Sequence, residues 1–465
     1  MALIVLPVAT SCYDYNHTDI TDEFTDNNNW INVTISVSTS NTPKTRANKP
    51  QGGEDGDGRE TGIETRENHV AGVTLIFFQH ADGINASASE ASSTTIDYAV
   101  YYTVTRDDGY IPTSGTHLPG EIYYTTGEKK LGKNIDPKKT YHMLVVANAN
   151  LTGQITAGTT TLAEVRDMTL YSVYSGTGIG LNASDFFMSS EKDLIIDFSY
   201  STYDKTTNRN TYYLDNAHLE RMTARIDYSA EGATYSTAYD HSGYVYNVTG
   251  TTDHFVLTSI TPFNLNIGAG YEYLFKRTDD ATNPYLADET TTNWVVDPYR
   301  SGKTTAEHPT WMASKLTDVE SDISNAYNIT MAASQTAKLN IDGNDVIVLA
   351  YPKENTLLTT SPLYYYATGL AFEGYYYSGG ATTGGERRVY YHYLRHQGDK
   401  ESYNAHRSPI DKTVTCGTAA AMNYGVVRNN IYRVSIGTIN EEKGTITIKI
   451  EEEKWRHVDN PVIYI

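Results

Sequence analysis

Cysteine is nearly absent from this chain: Cys12 and Cys416 are the only two in 465 residues. Two such thiols make neither a disulfide framework nor a four-ligand structural zinc site. Positive charge is short as well. The 36 Lys and Arg face 56 Asp and Glu, a formal net charge of −20. That balance excludes a surface for nucleic acid, which needs clustered cations, and it suits solubility and mutual repulsion between separate copies. No apolar run approaches the roughly 18 residues that a membrane-spanning helix requires. Heptads and sustained 3.6-residue periodicity are also missing, so long helices are not expected.

Phenylalanine is scarce, 10 residues against 39 tyrosines, in a chain that is 39% hydrophobic and 11% aromatic. Such a chain can bury sizeable cores. Tyrosine and the plentiful threonine both favour a pleated, half-buried surface. The expected fold class is therefore all-β or mainly β. Strand patterns recur between turn signals at 31–37, 73–79, 98–105, 141–147, 194–200 and 218–228, and again at 244–248, 255–260, 271–277, 345–350, 387–393, 429–436 and 445–450. Short strands at that spacing read as β-sandwich with few short helices, one expected within 161–174 and one within 309–326. Gly232 interrupts the pattern and places a boundary near 229–233. The domains are thus expected at 30–230 and 231–465.

The ends of the chain carry the most specific patterns. Residues 1–12 form a short apolar segment that ends in small residues before Cys12. The layout is that of a bacterial lipoprotein signal with Cys12 as the acylated, palmitate-bearing residue; a generic export signal with an incidental cysteine is the plainer reading. An acidic, Asn-rich spacer at 13–29 follows. Ile31, Val33, Ile35 and Val37 then alternate strictly with polar residues, the mark of a strand with one buried face. The next stretch, 40–68, holds Pro43, Pro50, a Gly/Asp run at 52–58 and three arginines, Arg46, Arg59 and Arg66. No regular element is expected there, and exposed polar loops are where proteases cut. A second alternating strand, with Ile446, Ile448 and Ile450, closes the chain, followed by Trp455, Val462, Ile463 and Ile465.

Chemical motifs are incomplete. Residues 176–180 (Gly-Thr-Gly-Ile-Gly) lack the spacing and flanking elements of a phosphate loop. The run 55–58 begins like a calcium loop, but Glu60 stands where glycine is needed. His392 and His396 flank Tyr393 without metal-ligand spacing in the rest of the chain. No nucleophile elbow is present. The expectation is a protein that is not an enzyme and uses no cofactor or metal. The tyrosine clusters at 364–366, 375–377 and 390–391, beside Arg387, Arg388 and Arg395, fit either strand packing or an adhesive surface for glycans or proteins.

Family-specific residues lie toward the C-terminus. The stretch Val-Val-Arg-Asn-Asn-Ile-Tyr at 426–432 and the run Lys-Trp-Arg-His at 454–457 resemble the minor (short) fimbrillins of Bacteroidales type V pili. Looser matches are Leu-Val-Val-Ala-Asn at 144–148, Phe-Phe-Met-Ser-Ser at 186–190 and Glu-Arg-Met-Thr-Ala-Arg-Ile at 220–226. The resemblance implies two transthyretin-like β-sandwich domains and export as an outer-membrane lipoprotein precursor. It further implies cleavage by an arginine-specific protease after the first strand, best matched at Arg46, with Arg59 and Arg66 as alternatives. Ile31, Val33, Ile35 and Val37 would be the removed strand. The donor side chains for a neighbouring subunit would be Ile446, Ile448, Ile450, Trp455, Val462, Ile463 and Ile465. On this resemblance the chain is a cell-surface fimbrial subunit that polymerises by donor-strand exchange and supports adhesion or biofilm formation. Its partners would be further copies, anchor and tip proteins, and surface ligands of host or bacteria. An anchor subunit, a tip adhesin or a surface glycan-binding lipoprotein are the rival readings.

Overall fold

The computed structural model of the chain describes residues 29–38, 67, 69–107, 121–132, 135–166, 168, 186–190, 193–266, 285–287, 293–295, 312–313, 328–332, 338–341, 344–353, 355–356, 367–395, 401–407, 425–426, 428–440 and 445–454. The principal strands of the first half are β1 (Asn29–Ser38), β2 (Gly72–Phe78), β3 (Ile96–Thr103), β4 (Glu121–Thr125), β5 (Thr140–Ala147), β6 (Met188–Ser190) and β7 (Arg209–Arg221). Those of the second half are β8 (Arg225–Ser229), β9 (Gly243–Asn247), β10 (His254–Phe263), β11 (Asn344–Ala350) and β12 (Gly369–Tyr377). They continue with β13 (Glu386–Tyr393), β14 (Glu401–His406), β15 (Asn430–Asn440) and β16 (Thr445–Lys454). Two short α-helices accompany them, α1 (Ala88–Ser93) and α2 (Leu162–Arg166). The protein is mainly β, as the composition implies.

The strands form two large sheets. The first runs β3-β2-β5-β6-β7-β1-β4, and the second runs β9-β10-β12-β13-β14-β16-β15-β8-β11 along its main path. In the first sheet, β1 and β2 are separated by three strands, yet Ile31, Val33 and Ile35 share one apolar cluster with Leu75 and Phe77. The sheet must therefore curl over that cluster, which is sandwich geometry. In the second sheet, Tyr228 of β8 and Phe255 of β10 share a core in the same way.

Local sequence accounts for the differences between strands. β2 reads Gly-Val-Thr-Leu-Ile-Phe-Phe and is buried at every position. Leu75 and Phe77 face the curled sheet, whereas Ile76 and Phe78 face a separate cluster with Leu144, Val146, Leu162 and Val165. A strand covered on both faces needs a continuous apolar run. The covering elements are the two helices. Each opens with a capping box: Ser87 with Glu90 in α1, and Thr161 with Glu164 at the start of α2.

Two expectations need correction. The strand read at 218–228 is two strands, because the backbone leaves the first sheet after Arg221 and enters the second at Arg225. β8 pairs with β11 and, in parallel, with β15, so it belongs wholly to the second sheet. The change of sheet thus falls at 222–224, before the expected 229–233. Gly232 marks a turn, with φ of 75°, but the turn lies inside the second sheet's connections. The short helix expected within 161–174 is α2 at Leu162–Arg166; of 309–326 only Met312–Ala313 are described, and these two residues are strand. The pattern at 271–277 lies outside the described residues.

The tyrosines of the clusters at 375–377 and 390–391 are packed. Tyr377 and Tyr390 are fully buried, Tyr391 nearly so, and Tyr375 and Tyr376 are half-buried. Residues 364–366 lie outside the described residues. At one end of the second sheet, the hydroxyls of Tyr376 and Tyr377 donate to Asp253 and Asp240. The same carboxylates accept the Gly379 and Gly384 N–H groups at 2.7 and 2.8 Å, which ties down the β12–β13 turn. The tyrosine hydroxyls first, and the backbone donors next, hold both aspartates below the ordinary carboxylate value. A lowered folded value means stability that is present above about pH 4 and lost as pH falls through it. The melting temperature is expected to drop on acidification from about pH 4 to about pH 2, with a shallower drop in an Asp240→Asn/Asp253→Asn variant. Thermal scans by circular dichroism check this; equal slopes would remove the two carboxylates as its source.

Candidate functional site

The removable strand expected from sequence is a central strand of the first sheet. β1 runs parallel to β7, from Asn29 opposite Asn210 to Ser36 opposite His218, with a register shift between Val33 and Ile35. On its other side it runs antiparallel to β4, Thr34 to Ser38 opposite Thr125 to Glu121, and Trp30 and Ile31 face Lys130 and Lys129. Side chains add to the ladder. Thr126 Oγ1 accepts the Val33 N–H at 3.0 Å, and Thr125 Oγ1 donates to Asn32 Oδ1 at 2.8 Å. At the start of the strand the Arg209 guanidinium lies 4.0 Å from the Trp30 ring centroid and pairs with Glu128 at 2.9 Å.

Ile31, Val33 and Ile35 are fully buried. Burying three such side chains contributes on the order of 5–9 kcal/mol. Without β1, the facing edges of β7 and β4 would lose their hydrogen-bond partners, and a slot with three apolar positions would open beneath. An open edge over an apolar slot is a template for another strand.

Beside this strand's seat lies a buried polar junction between the two sheets. Asp227 of β8 accepts from Arg225 Nε at 3.0 and 3.2 Å and from its Nη2 at 2.8 Å, and also from Arg433 of β15 at 3.2 Å. Arg225 Nη1 lies 3.1 Å from Glu67 Oε2, and the Tyr351 hydroxyl donates to the other Glu67 oxygen. The Glu67 backbone carbonyl accepts from Arg221 Nε at 2.9 Å. Glu67, Arg225 and Asp227 have no solvent exposure at all. Burial pushes Arg221 down to about 10; Glu67 works against that fall and Arg225 adds to it. It remains cationic at neutral pH. Asn429, with φ of 57°, closes the junction by accepting the Arg221 N–H at 3.3 Å. Asparagine is among the few residues that tolerate this left-handed conformation.

Two of the segments singled out in the sequence, 220–226 and 426–432, meet here. Arg225, Ile226 and Asp227 lie in parallel register with Ile431, Tyr432 and Arg433. The Asn429 N–H donates to the Thr223 carbonyl at 2.9 Å. Sequence reading quoted both stretches but gave their charged residues no role. Burial of Arg221, Arg225 and Arg433 has no local signature, because an arginine on an alternating strand reads as an exposed one.

The other expected site residues are placed as follows. Val37 and Ile35 lie in β1, with Ile35 in the core. Ile446, Ile448 and Ile450 lie in β16, which is an interior strand of its own sheet between β14 and β15. Ile446 packs in that sheet's core. Cys12, Arg46, Arg59, Arg66, Trp455, Val462, Ile463 and Ile465 lie outside the described residues. Among the described residues, His80, Asp82 and Glu90 bring possible metal ligands within 4.8 Å of one another. Two of these side chains already serve the loop: His80 Nδ1 accepts the Asp82 N–H at 3.1 Å, and Glu90 Oε2 accepts the Ser87 N–H at 3.0 Å.

No protein-family model matches the chain, and no curated protein does. Its structural neighbours include fimbrial proteins of Bacteroidales. A C-terminally truncated tip fimbrial protein, Mfa3, from Porphyromonas gingivalis aligns over 92% of this chain and 100% of its own, at 11% identity and a TM-score of 0.41. A fimbrilin, FimA, from Porphyromonas gingivalis W83 aligns over 94% of this chain and 99% of its own, at 13% identity and a TM-score of 0.37. A fimbrial assembly protein from Parabacteroides distasonis aligns over 90% and 98%, at 11% identity and a TM-score of 0.31.

The junction's charges differ sharply from surface pairs in what their removal costs. Arg225→Ala takes the shared cation away from the buried Glu67 and Asp227 and is expected to destabilise the protein by about 3–5 kcal/mol. Arg387→Ala removes a pair with Glu373 whose arginine side is 53% exposed, and is expected to cost about 1 kcal/mol or less. Urea unfolding of the two variants checks the contrast; similar costs would show that the junction is not a buried charge network.

Proposed function

We propose that the chain is a structural subunit of a cell-surface fimbria, exported as a lipid-bearing precursor and activated when an arginine-specific protease frees β1. The observation that carries this reading is the seat of β1. A strand with three fully buried alternating side chains is followed at once by a polar, glycine-rich stretch containing Arg46, Arg59 and Arg66. The resemblance at 426–432 and 454–457 supports it from the sequence side.

Loss of β1 leaves an edge that a strand from another copy can satisfy, in hydrogen bonds and in apolar contact together. Such an addition is head-to-tail and does not close, so repetition makes a filament. The structure of the second sheet bears on which residues are given away. β16 is flanked on both sides and carries the buried Ile446, so donating it would dismantle its own core. The apolar residues Trp455, Val462, Ile463 and Ile465 follow it in the sequence. We therefore assign donation to 455–465, with Ile446, Ile448 and Ile450 as the strand that holds the donor's base.

Exposure of the full chain to an arginine-specific protease should yield a ladder of oligomers in electrophoresis and filaments by electron microscopy. A clean cut without oligomers would overturn the stalk-subunit reading in favour of an anchor, a tip adhesin or a glycan-binding lipoprotein. Truncation after Lys454 is expected to leave a folded, cleavable protein that forms no ladder. Persistence of the ladder would exclude 455–465 as the donor.

A further inference from the structure

We propose that the outer face of the second sheet carries a shallow binding site for a neutral saccharide, built from His241, Glu373, Tyr375 and Arg387. Such a site goes beyond the filament-forming role proposed above and does not depend on it.

Side chains along β12 alternate between the two faces of the sheet. Phe372 lies in the core and Tyr376 packs against it, so Glu373 and Tyr375 point the other way. Tyr375 is paired with Arg387 of β13, and directly opposed residues share a face. Arg387 stands beside Tyr375 and reaches back to Glu373, its Nε donating to Oε1 at 2.6 Å. His241 comes from the segment ahead of β9. Its ring lies flat on that of Tyr375, with centroids 3.4 Å apart and planes 7° from parallel. That segment is tied down. The Asp240 N–H donates to the Thr382 carbonyl at 3.0 Å, its carboxylate holds Tyr377 and the Gly384 N–H, and the Tyr239 ring packs 4.8 Å from that of Tyr377. Groups fixed on strands and on a pinned segment have little freedom left to lose when a ligand arrives.

The polar ends of this cluster are not used within the fold. Arg387 and Glu373 meet only through Nε and Oε1. Arg387 Nη1 and Nη2, Glu373 Oε2, the Tyr375 hydroxyl and both ring nitrogens of His241 make no hydrogen bond among the described residues and are open to solvent. A pyranose matches what is offered. Its C–H face packs on a flat aromatic ring, and two neighbouring hydroxyls can accept from the guanidinium fork while one donates to the carboxylate. The patch is the size of one or two sugar rings and far below the area of a stable protein interface. Charge selects among sugars. The Arg387–Glu373 pair is neutral as a unit, and the chain as a whole, at −20, repels polyanions.

The test is saturation-transfer difference NMR on the full chain with the methyl pyranosides of glucose, galactose and mannose, each at about 10 mM to suit a millimolar Kd. At least one should receive saturation on its ring C–H protons. Tyr375→Ala removes the platform and Arg387→Ala removes the fork; each should weaken binding by about 10-fold or more. Tyr213→Ala, which removes an exposed tyrosine of the first sheet, should leave binding unchanged. N-acetylneuraminic acid, an anionic sugar, should bind more weakly than the neutral glycosides. Silence of all three glycosides overturns the proposal, and so does undiminished binding by the Arg387→Ala variant, which loses only a surface pair and answers the question even where Tyr375→Ala fails to fold. Stronger binding of the anionic sugar overturns the assignment to neutral saccharides. Failure of the protease-driven ladder would leave this site standing, and silence of the glycosides would leave the fimbrial reading standing.

Discussion

A guanidinium buried without a counter-charge is among the costliest arrangements in a protein interior. Arg225 is fully buried, and the surrounding architecture supplies its counter-charges. Asp227 comes from the same strand two residues on, Glu67 from the chain ahead of β2, and the neighbouring Arg433 from β15 turns toward the same carboxylate. Arg221 brings in the end of β7 through the Glu67 carbonyl. Segments far apart in sequence are thereby required in one place and one register. An apolar core tolerates a slipped strand better than this junction does, since a one-residue slip would send each charged group to the opposite face.

Much of this fold was legible from residue order. The alternation at 31–37 and the apolar runs at 73–79 and 141–147 correspond to β1, β2 and β5 within a residue or two. Tyrosine and threonine abundance pointed correctly to strands. The short helices were harder, because five or six residues carry too little periodicity to register. Their capping boxes, Ser87 with Glu90 and Thr161 with Glu164, were the readable signal. The change of sheet at 222–224 was hidden by continuity: Arg221 and Arg225 belong to different sheets, yet nothing in the five letters between and including them looks like a turn.

The candidate site divides the same way. The seat of β1 follows from a pattern that belongs to one segment, so local reading finds it. The junction does not, because it depends on which distant residues become neighbours. Arg209 and Arg221 open and close the same strand; one covers the Trp30 ring near solvent, and the other is fully buried. Their sequence contexts do not separate them. The stretches at 220–226 and 426–432 stood out as letters, but only the fold shows that they meet, with Arg225 and Ile226 in parallel register with Ile431 and Tyr432.

The two-sided pairing of β1 also has a mechanical meaning. A strand at the margin of a sheet can be peeled away one hydrogen bond at a time by a small force. β1 lies between β7 and β4, so a pull along its axis loads both ladders at once, and its bonds must fail together rather than in sequence. The same would hold for any strand that later occupied that seat. In a filament built as proposed above, tension along the axis would load each joint in the direction where it resists most.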